Sequence, residues 1–129
     1  MADLLEILVV EDDQAIQSLV VDALSDGSFE PAIASSGEEA LTMLSGRQTV
    51  YRMLVIDIKL GKDRIQGWDV ARRARAIKSN LPVIYITGAG PEEWAIQGVP
   101  NSILLSKPFA PAQLTTAVSQ LLNEAQAAF

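Results

Sequence analysis

The chain alternates short apolar runs with longer segments in which apolar residues recur every three or four positions. Five runs have strand length, at Ile7–Val10, Phe29–Ala34, Met53–Ile56, Val83–Ile86 and Ile103–Leu105. Several are almost continuously apolar, which indicates strands buried on both faces and is typical of a parallel sheet. Helical periodicity covers four of the intervening segments, Ala15–Leu24, Ala40–Leu44, Trp68–Ile77 and Pro111–Leu122. The pattern therefore predicts five βα units around one parallel sheet.

The fourth helical segment and the C-terminal tail carry the weakest signals. Only Pro91–Gln97 separates Gly90 from Gly98, which is room for about two helical turns. The sequence therefore predicts a short or irregular fourth helix, and a tail over 123–129 that frays. A chain of 129 residues has the length of one domain. We therefore expect a single domain over 1–129.

Composition and charge exclude several classes of protein. The net charge of −6 disfavours binding to the phosphate backbone of nucleic acid. The chain has no cysteine and no histidine, which removes thiolate and imidazole metal sites and Ser-His catalysis. The acidic N-terminus and the lack of an apolar stretch of about 18 residues argue against a secretion signal or a membrane helix. We expect a cytoplasmic protein with neither nucleic acid nor membrane as a partner.

Polar residues follow the predicted strands at the points where they end. Glu11–Asp13 follow the first strand, Asp57 the third, Thr87 the fourth and Lys107–Pro108 the fifth. Because right-handed crossovers place the carboxyl ends of parallel strands at one edge of the sheet, these side chains are expected to converge there. Asp13 is better suited to capping the first helix. The sequence thus predicts an acidic edge that also carries a hydroxyl and an amine.

Four motifs at these strand ends resemble those of the response-regulator receiver domain: Val9–Asp13, Val55–Asp57, Ile86–Gly88 and Ser106–Phe109. The resemblance covers the whole chain. It implies an α/β fold, a doubly wound five-stranded parallel sheet of order 2-1-3-4-5, as in flavodoxin-like proteins. It also implies a stand-alone phosphoacceptor of two-component signalling that takes a phosphoryl group on Asp57 from a histidine kinase or a histidine phosphotransfer protein. Such a chain would be a monomer or a weak dimer.

The family chemistry implies a magnesium site. A carboxylate that attacks phosphorus needs cations nearby, because the phosphoryl oxygens repel its charge. Mg²⁺ favours oxygen ligands and commonly uses one or two carboxylates. We assign Asp12 and Asp57 as direct ligands, the backbone carbonyl of Lys59 as a third, and Glu11 as the acceptor for a metal-bound water.

Two further residues are assigned to the phosphoryl group itself. Lys107 supplies a positive charge, and Thr87 donates its hydroxyl to a phosphoryl oxygen. By resemblance, the Lys107–Pro108 bond is cis. The phosphoryl group is expected to recruit both residues and to alter the face formed by the fourth helix, the fifth strand and the fifth helix. That face is the predicted output surface, for a downstream partner or for phosphate relay.

The chain departs from the family pattern at Leu104 and in the loop that follows the third strand. Leu104 stands where the family has an aromatic residue that swings inward on activation, so Tyr85 and Trp94 are candidate substitutes. The loop from Leu60 to Gly67 is longer and more charged than usual, which predicts altered access to the phosphoacceptor. Lys59 is hypothesised to modify attack by hydrolytic water.

Two alternative functions stay open beside the favoured one. The first is an interaction module that keeps the fold and acts without phosphorylation. The second is a phosphohydrolase with an aspartyl nucleophile, but such enzymes need a second acid at the position of Lys59, so we expect no turnover of a separate substrate. A dinucleotide-binding site is disfavoured because Glu11–Asp13 is acidic rather than glycine-rich.

Overall fold

The computed structural model describes residues 5–46, 51–61, 65–88 and 91–127. Within them the strands are β1 (Glu6–Val10), β2 (Glu30–Ala34), β3 (Met53–Asp57), β4 (Val83–Thr87) and β5 (Ser102–Ser106). These strands form one sheet in the order β2-β1-β3-β4-β5, and every pair of neighbours is parallel. The predicted doubly wound α/β fold and its strand order are confirmed.

The helices are α1 (Gln14–Asp26), α2 (Gly37–Leu44), α3 (Gly67–Ile77), α4 (Glu92–Gln97) and α5 (Pro111–Ala127). The six residues of α4 confirm the short fourth helix. By contrast, α5 continues through Ala127, past the point where the tail was predicted to fray. Glutamate, glutamine and alanine dominate this last stretch, and all three are good helix formers. Residues 128–129 of that predicted tail lie outside the described residues.

Helices cover both faces of the sheet. On one face, Val9 and Ile84 belong to a cluster that includes apolar side chains of α1 and α5. On the other face, Leu8 and Tyr85 belong to a cluster that includes α2 and α3, and Trp94 of α4 packs against it. Alternate residues of a strand point to opposite faces, so two covered faces require nearly continuous apolar strands. This explains why periodicity alone indicated a parallel sheet.

Strand register brings the predicted site residues to one edge. Val10 lies opposite Ile56, so Glu11, directly after β1, and Asp57, the last residue of β3, lie at the same level. Thr87 pairs with Ser106, and the backbone N–H of Lys107 donates to the Thr87 carbonyl at 2.7 Å. The ends of four strands therefore contribute to a single site.

Candidate functional site

Three carboxylates form an acidic edge at the carboxyl ends of β1 and β3, made of Glu11, Asp12 and Asp57. Each offers one carboxylate oxygen, and these oxygens all lie within 4.8 Å of one another. Glu11 is 2% exposed and Asp57 is 6% exposed, whereas Asp12 is exposed to solvent. Burying an ionised carboxylate is costly unless a partner compensates its charge. The acidic edge therefore requires cations or protons.

Lys107 supplies one of these cations. Its Nζ donates to Asp57 Oδ2 at 2.8 Å and lies 3.4 Å from Glu11 Oε1. Burial alone would lower the pKa of Lys107, but the hydrogen bond to Asp57 and the charges of Asp57 and Glu11 outweigh it, so the pKa is raised. The ammonium group thus stays charged at neutral pH and bridges the two buried acids.

The other oxygen of Asp57 is held by the backbone of the loop that follows β3. The N–H of Lys59 donates to Asp57 Oδ1 at 3.2 Å, and the Lys59 residue is exposed. Both oxygens of Asp57 therefore have a defined position, one set by an amine and one by a backbone amide. The assignment of the Lys59 carbonyl to a metal stays a prediction.

Glu11 has a less complete set of contacts. Its Oε2 accepts the backbone N–H of Asp12 at 3.0 Å, while its Oε1 is buried and accepts no hydrogen bond from the described residues. Burial is the largest cause that raises the pKa of Glu11, to about 8, followed by the hydrogen bond and the charge of Asp57. Burial and Asp57 thus oppose a negative charge on Glu11, while the ammonium of Lys107 favours it. The Oε1 atom of Glu11 lies 3.4 Å from the Lys107 ammonium, and a metal cation or its bound water would be a further partner for it.

These residues fit a hard divalent cation such as Mg²⁺. The donor set consists of carboxylate oxygens, the ligand type that Mg²⁺ prefers. Three of them converge without any histidine or cysteine, and one buried oxygen of Glu11 lacks a hydrogen bond from the described residues. The chemistry of the acidic edge is therefore compatible with the predicted site on Asp12 and Asp57.

Thr87 lies at the same edge, at the end of β4. It is 3% exposed, and its carbonyl accepts the backbone N–H of Lys107. The peptide bond between Lys107 and Pro108 is cis, as the resemblance implies. The structure thus brings Glu11, Asp12, Asp57 and Lys107 together through their side chains, and Thr87 joins them through its backbone.

The start of α1 fixes the loop that carries two of the acids. Asp13 Oδ1 accepts the backbone N–H groups of Ala15 and Ile16, which confirms that Asp13 caps α1. Gln17 Nε2 donates to the Glu11 carbonyl at 2.5 Å and is 3.3 Å from Ser35 Oγ. Gln17 is not among the residues predicted from the sequence. Its signal is an amide side chain on the first turn of a helix, within reach of the preceding strand end.

Gly67 is a second residue with a role at the site that was not predicted from the sequence. A Cβ atom at this position would lie 2.7 Å from the Ile58 Cα, so only glycine lets α3 begin against the backbone that follows Asp57. The Gly67 N–H also donates to the Ile58 carbonyl at 2.8 Å. A glycine at the first residue of an amphipathic helix is a signal for such close approach. Residues 62–64 of the predicted long loop lie outside the described residues.

Among the described residues, no helix combines the length and the apolar character needed to cross a membrane.

Comparison with models of protein families matches most of this chain to one family. The model of the response regulator receiver domain matches residues 7–119. An NtrX-like response regulator of Rickettsia conorii is 30% identical over 107 residues, which cover 81% of this chain and 22% of that protein. The transcriptional regulatory protein SrrA of Staphylococcus aureus is 31% identical over 123 residues, covering 94% of this chain and 49% of SrrA. The chain thus spans half or less of the length of these curated relatives.

Solved structures agree with this assignment. A response regulator receiver protein of Sinorhizobium medicae superposes with a TM-score of 0.89 at 42% identity, covering 94% of this chain and 96% of that one. A receiver domain protein of Clostridium thermocellum superposes with a TM-score of 0.84 at 26% identity, covering 98% of this chain and 100% of that one. By family match, strand order and structural similarity, this chain belongs to the response regulator receiver domain family.

Proposed function

We propose that this receiver domain accepts a phosphoryl group on Asp57 in a reaction that depends on Mg²⁺. The observation that carries the proposal is the placement of the Asp57 carboxylate. It is buried at the acidic edge beside Glu11, with Lys107 Nζ at 2.8 Å from one oxygen and the Lys59 N–H at 3.2 Å from the other. A carboxylate held in this way is oriented as a nucleophile and compensated in charge.

The transfer needs an in-line approach of phosphorus to an Asp57 oxygen, with the bond to the donor breaking as the new bond forms. Lys107 would move its hydrogen bond from Asp57 toward a phosphoryl oxygen and offset the developing charge. Thr87 would donate its hydroxyl to another phosphoryl oxygen. Mg²⁺ on Asp12, Asp57 and the Lys59 carbonyl, with Glu11 accepting from a bound water, would neutralise phosphoryl charge.

The proposed donor is a histidine kinase or a histidine phosphotransfer protein. Response regulator receiver domains are phosphorylated by histidine kinases. In this proposal the donor supplies only the phosphoryl group, and the groups that promote its transfer belong to the receiver. The placement of Lys107 and Asp12 beside Asp57 supports this, because both residues are part of this chain. A small phosphodonor such as acetyl phosphate should therefore also phosphorylate Asp57.

The proposed output is a change at the face formed by α4, β5 and α5. Shifting a two-state equilibrium from 1:99 to 99:1 takes about 5.5 kcal/mol, whereas one charge-assisted hydrogen bond contributes about 1.5 to 3 kcal/mol. Thr87 alone is therefore insufficient, and the phosphoryl group must engage Thr87, Lys107 and the metal together. The altered face would bind a downstream protein partner or return the phosphoryl group in a relay.

Incubation with acetyl phosphate and Mg²⁺, followed by intact-protein mass spectrometry, tests the proposal. We expect a gain of one phosphoryl group that is lost on chelation of Mg²⁺ and in Asp57→Asn. The matched control is Asp22→Asn, which changes an exposed aspartate on α1 and should be labelled like the native chain. Equal labelling of Asp57→Asn would overturn the choice of acceptor.

The same experiment addresses the two alternatives. A native chain that stays unlabelled under all of these conditions would favour an interaction module that acts without phosphorylation. Sustained turnover of p-nitrophenyl phosphate that is lost in Asp57→Asn would instead favour a phosphohydrolase. We expect neither result, and no turnover of a separate substrate.

A further inference from the structure

Gly61 lies against the exposed member of the acidic edge. A Cβ atom at this position would be 2.7 Å from Asp12 Oδ2 and 3.7 Å from Asp12 Cγ. Among the described residues, and leaving out those adjacent in the chain, the added Cβ would have no other neighbour within 4 Å. The backbone of Gly61 therefore passes directly beside the carboxylate of Asp12.

The loop that carries Gly61 is held in place on its N-terminal side. Leu60 is buried, and its backbone N–H donates to Gln66 Oε1 at 3.1 Å. Gly61 itself has a φ of +63°, in the left-handed region that favours glycine. The path of the loop over Asp12 is thus anchored by the preceding residue.

The three acids differ in how the fold positions them. Glu11 and Asp57 are buried, so packing and their contacts with Lys107 restrict them. Asp12 is exposed, so packing restricts its carboxylate less than those of the other two. A neighbour that determines the space open to Asp12 therefore has a direct effect on the distance between the three oxygens.

We infer that Gly61 is a positioning residue for Asp12: the absence of a side chain at 61 leaves the space in which the Asp12 carboxylate can face Glu11 and Asp57. The inference rests on the proposed function, because it assigns Gly61 to the same magnesium site. Gly61 touches no reacting atom in this account. It acts through Asp12 alone.

A side chain at 61 has two separable effects. The positive φ strains any L-residue other than glycine, but asparagine tolerates this region better than alanine. The collision with Asp12 arises from the Cβ atom, which alanine and asparagine share. Because the atom that must move is the end of an exposed side chain, the collision displaces Asp12 at little cost to the fold. Gly61→Ala and Gly61→Asn should therefore differ in thermal stability but weaken Mg²⁺ binding to a similar extent.

The variants Gly61→Ala and Gly61→Asn test this inference by calorimetric titration with Mg²⁺ and by thermal unfolding. We expect both to weaken Mg²⁺ binding by about tenfold, a typical effect of losing a group that orients a metal ligand. The melting temperature should fall by about 3 to 8 °C in Gly61→Ala and by less in Gly61→Asn. In phosphorylation by acetyl phosphate, the Mg²⁺ concentration for half-maximal rate should rise while the rate at saturating Mg²⁺ is kept.

The matched control is Gly88→Ala. Gly88 lies at the same edge of the sheet, and a Cβ atom there would meet nothing within 4 Å. We expect its Mg²⁺ affinity to stay within about twofold of the native chain. Native affinity in both Gly61 variants would overturn the inference, as would an equal loss in Gly88→Ala.

A second readout separates this inference from the proposed function, because it needs no metal. The carboxyl ¹³C resonances of Asp12 and Asp57 can be compared by NMR between the metal-free native chain and Gly61→Ala. We expect the Asp12 resonance to move and the Asp57 resonance to stay. An unmoved Asp12 resonance overturns the inference even if the native chain binds Mg²⁺ and is phosphorylated. A native chain that binds no Mg²⁺ overturns the metal site of the proposed function, and the role of Gly61 in it, whatever the NMR result.

Discussion

The acidic edge and the α4–β5 corner, which we define as residues 94–102, are held together in different ways. At the acidic edge, each acid lies at or within two residues of a strand end, so strand register alone brings Glu11 beside Asp57. At the α4–β5 corner, side chains bridge separate elements. Tyr85 Oη accepts the backbone N–H of Val99 at 3.1 Å, and Trp94 Nε1 donates to Ser102 Oγ at 3.0 Å.

The α4–β5 corner also receives hydrogen bonds from α3. Arg72 donates to the Gln97 carbonyl at 3.2 Å, and Arg75 donates to the Asn101 carbonyl at 3.4 Å. The helix α4, described over its whole length, has no fully buried residue. Its position thus depends on these hydrogen bonds as well as on the packing of Trp94 against the core. The comparison teaches that different contacts hold the acidic edge and the position of α4. Substitutions at the edge should therefore change phosphoryl transfer most, and substitutions at the corner should change the stability of α4 most.

The largest effect is expected at the acidic edge, from Lys107→Met. This change removes the cation that contacts Asp57 and Glu11 while keeping an unbranched side chain. The rate of phosphorylation by acetyl phosphate should fall by about 100-fold or more, since a positioned donor at a reacting oxyanion typically contributes that much. A time course of phosphorylation, quenched at intervals and quantified by mass spectrometry, measures the rate. A Lys78→Met control at the end of α3 should keep it, and a native rate in Lys107→Met would remove the assigned role.

The next effect concerns two adjacent aspartates. Asp12→Asn keeps the shape of the side chain but removes its charge, and should weaken Mg²⁺ binding by about tenfold or more. Asp13→Asn should leave the affinity for Mg²⁺ unchanged, because its side chain caps α1 instead. Calorimetric titration of both variants measures the contrast. Equal losses in the two variants would contradict the assignment of Asp12 as the ligand.

At the α4–β5 corner, Tyr85→Phe should produce a change in stability without a change in chemistry. Burial raises the pKa of Tyr85, so its hydroxyl remains protonated as it accepts from Val99. Its loss should lower the free energy of unfolding by about 1 to 3 kcal/mol, because the Val99 N–H loses its acceptor. Urea denaturation gives the free energy, and hydrogen exchange of the Val99 amide should become faster.

The same variant sharpens the comparison through its kinetics. Phosphorylation of Tyr85→Phe by acetyl phosphate should stay within about twofold of the native rate, since Tyr85 contacts the corner and not the acids. A large loss of rate at unchanged stability would show that the two regions are not separable.

The smallest effect is expected from Arg72→Ala. Arg72 is nearly half exposed, and it contacts Asp69 at 3.6 Å and the carbonyl of Gln97. Exposed pairs of this kind contribute about 0.2 to 1 kcal/mol, so the change in unfolding free energy should lie in that range. Faster exchange of backbone amides in α4 is the more sensitive readout. The exposed neighbour Arg73, replaced by alanine, should leave that exchange unchanged.

The sequence predicted most of the fold because the two strongest signals, apolar runs for strands and helical periodicity, are local. Continuous apolar runs such as Met53–Ile56 indicated buried parallel strands, and the structure confirms the strand with Asp57 as its last residue. The strand order came from the resemblance rather than from periodicity. The convergence of Glu11, Asp57 and Lys107 followed from one geometric rule about the carboxyl ends of parallel strands.

The remaining features depend on contacts between residues far apart in the chain. Tyr85 and Leu104 pair in register on neighbouring strands. The ring of Tyr85 therefore lies beside Leu104, the residue that replaces the aromatic side chain usual in the family. The structure also shows that this ring is fully buried and hydrogen-bonded, which a sequence pattern cannot reveal. Likewise, a glycine at 61 signals a turn, but its contact with Asp12 becomes visible only when the loop is folded over the edge.

The most direct test of the central claim is to trap the phosphorylated residue chemically. The native chain is incubated with acetyl phosphate and Mg²⁺, reduced with borohydride, which converts an acyl phosphate of aspartate to homoserine, and mapped by peptide mass spectrometry. The account predicts homoserine at position 57, formed in the presence of Mg²⁺ and missing when the metal is chelated. Homoserine at another aspartate, or its formation at position 57 without any divalent cation, would contradict it.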